Sequence, residues 1–353
     1  MKTLKSHLVL DLKPQEGNPR NSEGAFIRMD DGTLLFAYSR YSGGGWHDHQ
    51  PSDIALIRST DEGESWSEPE IIAKAEAFGT TNVMSVSAIR QKDGKIGFYF
   101  LAKFFEPELH SVLCRAITSD GVHFETQQCG FHAPEGYYVF NNDRLVRLSD
   151  GRLAYPAAYT VRPRHSLATV FLSEDDGATF TRHDTLLDLP FPNLRGMEEP
   201  GILEHADGSF RLWMRTDMGY QYESYSYDNL KTFTDPAPSV FTSPRSPMEI
   251  ERNEDGTLYA IYNPIPNYNG RVNTPASFCG RNPLIIRKSN DDGKTWGECY
   301  ILEADEDRGF CYPAMCFTKD GGLLVAYCRG GTEDVLCLTR LGIRKLSLKD
   351  IEE

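Results

Sequence analysis

Asp31-Gly32-Thr33-Leu34-Leu35-Phe36-Ala37-Tyr38 decides the fold: a turn dipeptide, then an unbroken apolar run. Asp-Gly tolerates the positive φ of primed hairpin turns, so the stretch predicts a tight hairpin followed by a buried strand. The dipeptide returns at Asp93-Gly94, Asp150-Gly151, Asp207-Gly208, Asp255-Gly256 and Asp320-Gly321. Each copy stands between a polar and an apolar run; the last leads into Gly322-Leu323-Leu324-Val325-Ala326-Tyr327. Successive copies lie 62, 57, 57, 48 and 65 residues apart. A repeat of that length built only from strands predicts an all-β chain folded as a β-propeller, and six copies predict six blades.

Between the hairpins lies a second repeated element, Ser-x-Asp-x-Gly-x-Thr-Trp. Its best copies are Ser289-Asn290-Asp291-Asp292-Gly293-Lys294-Thr295-Trp296 and Ser59-Thr60-Asp61-Glu62-Gly63-Glu64-Ser65-Trp66, with Ser173 to Phe180 close behind. Ser226 to Phe233 lacks the glycine, Thr118 to Phe124 is one residue short, and the sixth unit has no such box. The chemistry is local: Ser and Asp hold backbone amides of a turn, Gly supplies an unusual dihedral, and the aromatic packs beneath. The boxes lack the spaced oxygen ligands and closing Glu of a calcium loop, so we expect no metal there.

Boxes in this rhythm resemble those of the sialidase (neuraminidase) superfamily of six-bladed propellers. The resemblance runs from about Gly24 to about Tyr327. Alternation in Ser6 to Lys13 and again in Val335 to Arg340 predicts terminal strands that share a blade and close the ring, removing exposed sheet edges.

The chain has 353 residues, 37 Lys and Arg against 51 Asp and Glu, and a net charge of −14. A propeller accounts for that length without a second domain, so residues 1–353 are expected to form one domain. The charge argues against nonspecific nucleic-acid or anionic-membrane binding. An anionic substrate would have to be met by a local arginine cluster. The start, Met1 to Asp11, has no apolar core of signal-peptide length, and no run approaches a membrane span, so a cytoplasmic location is expected. The eight cysteines are then expected as buried thiols, and none has histidine-backed zinc spacing.

The resemblance implies three arginines for a substrate carboxylate, a tyrosine nucleophile with a glutamate partner, and an aspartate acid/base. Glu199-Pro200-Gly201, then Asp207-Gly208 and Trp213-Met214-Arg215, is similar to the stretch holding the glutamate and the second arginine, giving Glu199 and Arg215. Arg281, eight residues before Ser289, stands at the third arginine. Tyr312, in Phe310-Cys311-Tyr312-Pro313, stands at the nucleophile; a phenol needs a base to take its proton. Asp48, in Gly43-Gly44-Gly45-Trp46-His47-Asp48-His49, stands at the acid/base, with His47 and His49 able to do the same work. Polar runs at Thr80 to Ser85 and Tyr137 to Arg144 are expected to face the axis, offering Asn142 and Asp143 to sugar hydroxyls.

The pattern departs at the first arginine. Ser22 stands about where it should be, with Glu23 beside it, and Arg20 or Arg40 is the available substitute. The resemblance implies an exo-acting, cofactor-free glycoside hydrolase on a terminal acidic or polar sugar of an oligosaccharide. Two alternatives stay open: a hydrolase or lyase for uronate-containing glycans using His47 or His49, and a non-catalytic glycan-binding propeller. Arg271 to Pro275 is read as a lid or rim loop without a mechanism.

Overall fold

The computed structural model describes residues 1–162, 164–270 and 280–351. Among these the chain is almost entirely strand, in a propeller-like ring of antiparallel meanders. Arg271 to Pro275 and Cys279 lie outside the described residues.

All six Asp-Gly pairs precede a strand: Leu34–Tyr41, Ile96–Phe104, Leu153–Arg162, Phe210–Arg215, Leu258–Tyr262 and Gly322–Cys328. The turn differs from the expected primed type. The glycine alone takes positive φ, at 95° for Gly32 and 81° for Gly321, and the aspartate stays in the ordinary region. Gly32 N–H donates to Met29 O at 3.0 Å and Met29 N–H to Thr33 O at 2.8 Å. This is a three-residue hairpin loop with a glycine bulge. The aspartate serves as a cap instead: Thr33 N–H donates to the Asp31 carboxylate at 2.8 Å.

Four-stranded meanders are the building unit. One is Glu198–Glu204, Phe210–Arg215, Tyr220–Ser226 and Ala237–Thr242. The largest sheet has eight strands and is two such meanders joined by a parallel bridge between Ser52 and Asn82. The first strands of the meanders neighbour one another. Asn21–Arg28 lies against both Asn82–Arg90 and Cys311–Phe317, and Glu249–Arg252 lies between Glu198–Glu204 and Cys311–Phe317.

The apolar core sits between meanders. In Leu34–Tyr41, Leu35 and Ala37 pack with Val83, Phe98 and Phe100 of the next meander. Leu34, Phe36 and Tyr38 pack with Ala314, Leu324 and Ala326 of the last. Strand side chains alternate in direction, so burial on both faces requires an unbroken apolar run, which is the pattern in the sequence. Analogous clusters join Tyr99 to Tyr155, Val170 to Leu212, Trp213 to Leu258, and Ile286 to Val325.

The ring closes through the termini, but on a different C-terminal strand from the expected one. Ser6–Leu12 pairs antiparallel with Leu341–Ser347, in the sheet that also holds Gly322–Cys328 and Cys311–Phe317. Val335 to Arg340 is a turn whose Leu336, Cys337 and Leu338 face a cavity. Its apolar residues serve a wall and not a ladder, which the pattern alone does not distinguish.

The boxes hold their turns as expected. Gly293 N–H donates to Ser289 Oγ at 2.8 Å, and Thr295 N–H and Oγ1 donate to Asp291 at 2.9 and 2.5 Å. In Ser226 to Phe233, Leu230 takes the glycine's place at φ 64° and still donates to Ser226 Oγ at 3.0 Å. The residue after the box aspartate ties meanders together. Asp292 accepts from Arg252 of its own meander at 2.5 Å and from Ala206 N–H of the preceding one at 2.8 Å. Asp176 does the same with Arg147 and Lys92 N–H, and Glu62 with Arg28 and Lys319 N–H.

Candidate active site

At the other end of the first strands the ladder is interrupted in a recurring way. Ser22 pairs with Ser39 and Gly24 with Tyr38, leaving Glu23 as an extra residue. Similar register shifts fall between Met84 and Ser87, Glu198 and Gly201, and Cys311 and Ala314. Each is a β-bulge, and each places one non-glycine residue at positive φ: Glu23 at 56°, Ser85 at 60°, Glu199 at 45° and Tyr312 at 56°. That region is costly for residues with a Cβ, and bulges that re-aim a side chain cluster at functional sites.

All four side chains line one cavity of about 270 Å³, together with Asp48, Lys103, Glu198, Arg215, Arg245 and Arg281. Tyr312 Oη donates to Glu199 Oε1 at 2.8 Å. Arg215 Nη1 donates to Glu199 Oε2 at 2.5 Å and lies 3.4 Å from the phenol oxygen. Burial, then the facing Glu199 charge, pushes the Tyr312 phenol far above its usual value, so the phenol is protonated. Arg281 sits 5.7 Å from the Tyr312 ring centroid and donates to Arg245 O at 3.3 Å. Glu198 does not approach the phenol. It grips Arg245 through both carboxylate oxygens and stands 3.8 Å from Arg215 Nε.

The glycine loop brings Asp48 to the cavity mouth with a half-exposed side chain. Desolvation at the mouth opposes its ionisation, but Arg20 at 2.5 Å, and then Lys103, hold the carboxyl well below the usual range. Free Asp48 is therefore a carboxylate.

Several expected residues lie elsewhere. Arg20 is fully buried under the cavity with its donors committed to Asp48, Glu23, Ser22 and Trp46 O, so it is no substitute ligand for a substrate carboxylate. Arg40 is not among the residues lining the cavity, and alternation puts its side chain on the opposite face of Leu34–Tyr41 from Ser39 and Tyr41. His47 and His49 do not line the cavity: His47 packs on Trp46 at 4.0 Å, and His49 meets Phe105 edge-on at 5.6 Å. Asn142 is a buried tie between sheets, donating to Gly24 O at 3.0 Å and Pro313 O at 3.4 Å. Asp143 points into a second cavity of about 900 Å³ at the hairpin end of the same strands, beside Arg144, Arg147 and Glu251. From that run Tyr137, Val139 and Asn141 line the first cavity.

Sequence reasoning missed Arg245, Glu198 and Lys103 as cavity groups, whereas Ser85 ends the Thr80 to Ser85 run expected to face the axis. Arg245 lies in Ser243-Pro244-Arg245-Ser246-Pro247, where an arginine between two prolines was the available signal. The seven described cysteines are free thiols. Among the described residues no cluster of His, Cys, Asp or Glu is arranged to hold a metal ion, and no helix is long and apolar enough to cross a membrane.

Residues 98–325 match the family model described as a BNR repeat-like domain, so the chain belongs to that family. Solved structures agree on the fold. A protein of unknown function from Dyadobacter fermentans DSM 18053 is 17% identical with a TM-score of 0.74, over 97% of this chain and 99% of that one. The Hadza microbial sialidase Hz136 is 18% identical with a TM-score of 0.76, over 95% of this chain and 67% of its own. The intramolecular trans-sialidase from Ruminococcus gnavus, solved with oseltamivir carboxylate, is 13% identical with a TM-score of 0.69, over 99% and 98%. The fold is thus that of the BNR-repeat, sialidase-type propellers. A search of curated proteins returned no match.

Proposed function

We propose that residues 1–353 form a single six-bladed propeller domain and that the protein is a sialidase-like, exo-acting glycoside hydrolase. The observation that carries this reading is the Tyr312 to Glu199 hydrogen bond of 2.8 Å on the cavity floor, with both residues on bulges. Tyr312 Oη attacks the anomeric carbon while Glu199 takes the phenol proton; the glycosidic C–O bond breaks as the tyrosyl–sugar bond forms. A neutral nucleophile suits a sugar bearing negative charge near the reacting carbon. Asp48 gives the leaving group its proton and then takes one from the water that attacks the anomeric carbon, while Glu199 returns the phenol proton to Tyr312 as the tyrosyl–sugar bond breaks. Because Arg20 keeps free Asp48 ionised, its acidic form is populated at low pH, and an acidic optimum follows. Arg215, Arg245 and Arg281 line the side of the cavity that receives an acidic or strongly polar group, and the substrate is a terminal sugar of an oligosaccharide or small glycoside.

The test is release of 4-methylumbelliferone from a sialoside, a glucuronide and a galactoside, wild type against Tyr312→Phe. Release from one of them, lost in the variant, supports the reading; no release from any by wild type at pH 4 to 7 sinks it.

A further inference from the structure

Four carboxylates, Glu23, Asp48, Glu198 and Glu199, line the cavity with Arg215, Arg245, Arg281, Lys103 and Ser85. Glu198 is paired with Arg245 and Glu199 with Arg215. Glu23 is nearly inaccessible, yet it lines the cavity from its bulge. Its carboxylate is built as an acceptor: Arg20 Nη2 donates to Oε1 at 2.9 Å and Ser85 Oγ donates to Oε2 at 2.6 Å. Ser85 is itself fixed, its N–H donating to Ser39 Oγ at 2.9 Å. A carboxylate oxygen accepts more than one hydrogen bond, so each Glu23 oxygen retains capacity towards the cavity.

We propose that Glu23, oriented by Arg20 and Ser85, is a specificity-determining residue whose carboxylate takes a hydroxyl or ammonium group of the bound sugar and turns a carboxylate away. The proposal rests on the reading of this cavity as a sugar site, but not on turnover. A donor on the ligand completes a hydrogen bond to a charged, desolvated acceptor, whereas a ligand carboxylate placed there meets like charge in a low-dielectric pocket. Burial, with the charges of Asp48 and Glu199 acting against Arg20, raises the Glu23 carboxyl, so a ligand donor at this point relieves a group that is otherwise costly to keep ionised.

The experiment is isothermal titration of the full chain with galactose, galactosamine, glucuronic acid and N-acetylneuraminic acid. None of these is turned over, so binding is read apart from catalysis. The readout is the ratio of affinities for hydroxyl or amino sugars over carboxylate sugars, in wild type, Glu23→Gln and Ser85→Ala, each checked for cooperative thermal unfolding. Glu23→Gln is expected to lower that ratio about tenfold or more, since a hydrogen bond to a charged partner is lost and like-charge repulsion is removed together. Ser85→Ala is expected to lower it less and in the same direction; it serves as the readout if Glu23→Gln does not fold. A ratio unchanged in a folded variant overturns the proposal, because a merely structural role weakens all four sugars alike. Failure of every sugar to bind wild type also overturns it. Loss of turnover reading without loss of this ratio would fault Tyr312 chemistry and leave Glu23 in place.

Discussion

The two ends of the first strands follow opposite rules. At the hairpin end, sequence and backbone repeat together: Asp-Gly turns, a capping carboxylate, and box residues that bond the same atoms in successive meanders. At the bulge end only the backbone repeats. The positive-φ residue is Glu23 in one meander, Ser85 in the next, Glu199 and Tyr312 further on. Identical side chains at identical places mark what the scaffold needs everywhere. Different side chains on identical backbone mark what the scaffold presents. Substitutions at the bulge end should therefore act on chemistry, and those at the hairpin end on stability.

The largest break in that contrast would come from Tyr312→Phe. Turnover should fall by roughly 10⁴-fold or more, as for loss of a nucleophile, with the thermal midpoint kept. Glu199→Gln should follow with roughly 10²- to 10⁴-fold, the range for a general base. If either lost activity by unfolding, scanning calorimetry would expose it and the division between ends would fail.

Arg20→Gln tests a residue that belongs to both categories. It removes the partner of a buried carboxylate, which costs about 3–5 kcal/mol, read by denaturant titration. It also frees Asp48 from its closest positive charge. The Asp48 carboxyl is lowered in the folded protein, so losing Arg20 should raise it, and activity that needs its protonated form should extend to higher pH. A pH profile of kcat/KM that stays in place would separate Asp48 from proton donation.

At the hairpin end, Gly63→Ala should destabilise by about 1–3 kcal/mol and leave kcat unchanged. Gly63 has φ 84°, and an added Cβ would stand 2.5 Å from Leu324 Cδ1 of the neighbouring meander. The smallest effect is expected from Asp291→Asn. Hydrogen bonds from Thr295 hold the Asp291 carboxyl at about 2, below its unfolded value of 3.8. A lowered carboxyl contributes stability that is complete above 3.8 and is lost as pH falls through about 2. The variant should show a shallower loss of stability across that window, measured by urea unfolding at successive pH values.

The same division explains what the sequence made legible. Hairpins and boxes were readable because each is a local sequence requirement, satisfied by the residues that spell it. Leu230 at the missing glycine of one box marks the limit, since the turn forms without the expected residue. The bulges carry no such spelling. Asn142 and Asp143 looked equivalent to Asn141 in sequence, yet an excursion in the backbone sends Asn141 to one cavity and Asp143 to the other. Arg245 sits in a loop with no period to read. Arg20 was visible as a charge, but not as a buried hinge between Glu23 and Asp48, because that depends on two segments meeting.

A bulge has one further consequence. In a regular strand every residue is bound to a partner opposite, so changing what it presents risks the register of its neighbours. The inserted residue at Glu23, Ser85, Glu199 or Tyr312 is counted out of the ladder, which resumes in step on either side. These four positions are sockets: the sheet specifies where each opens and leaves open what is plugged in. New chemistry on this ring can be written one residue at a time, without asking the fold to be rewritten with it.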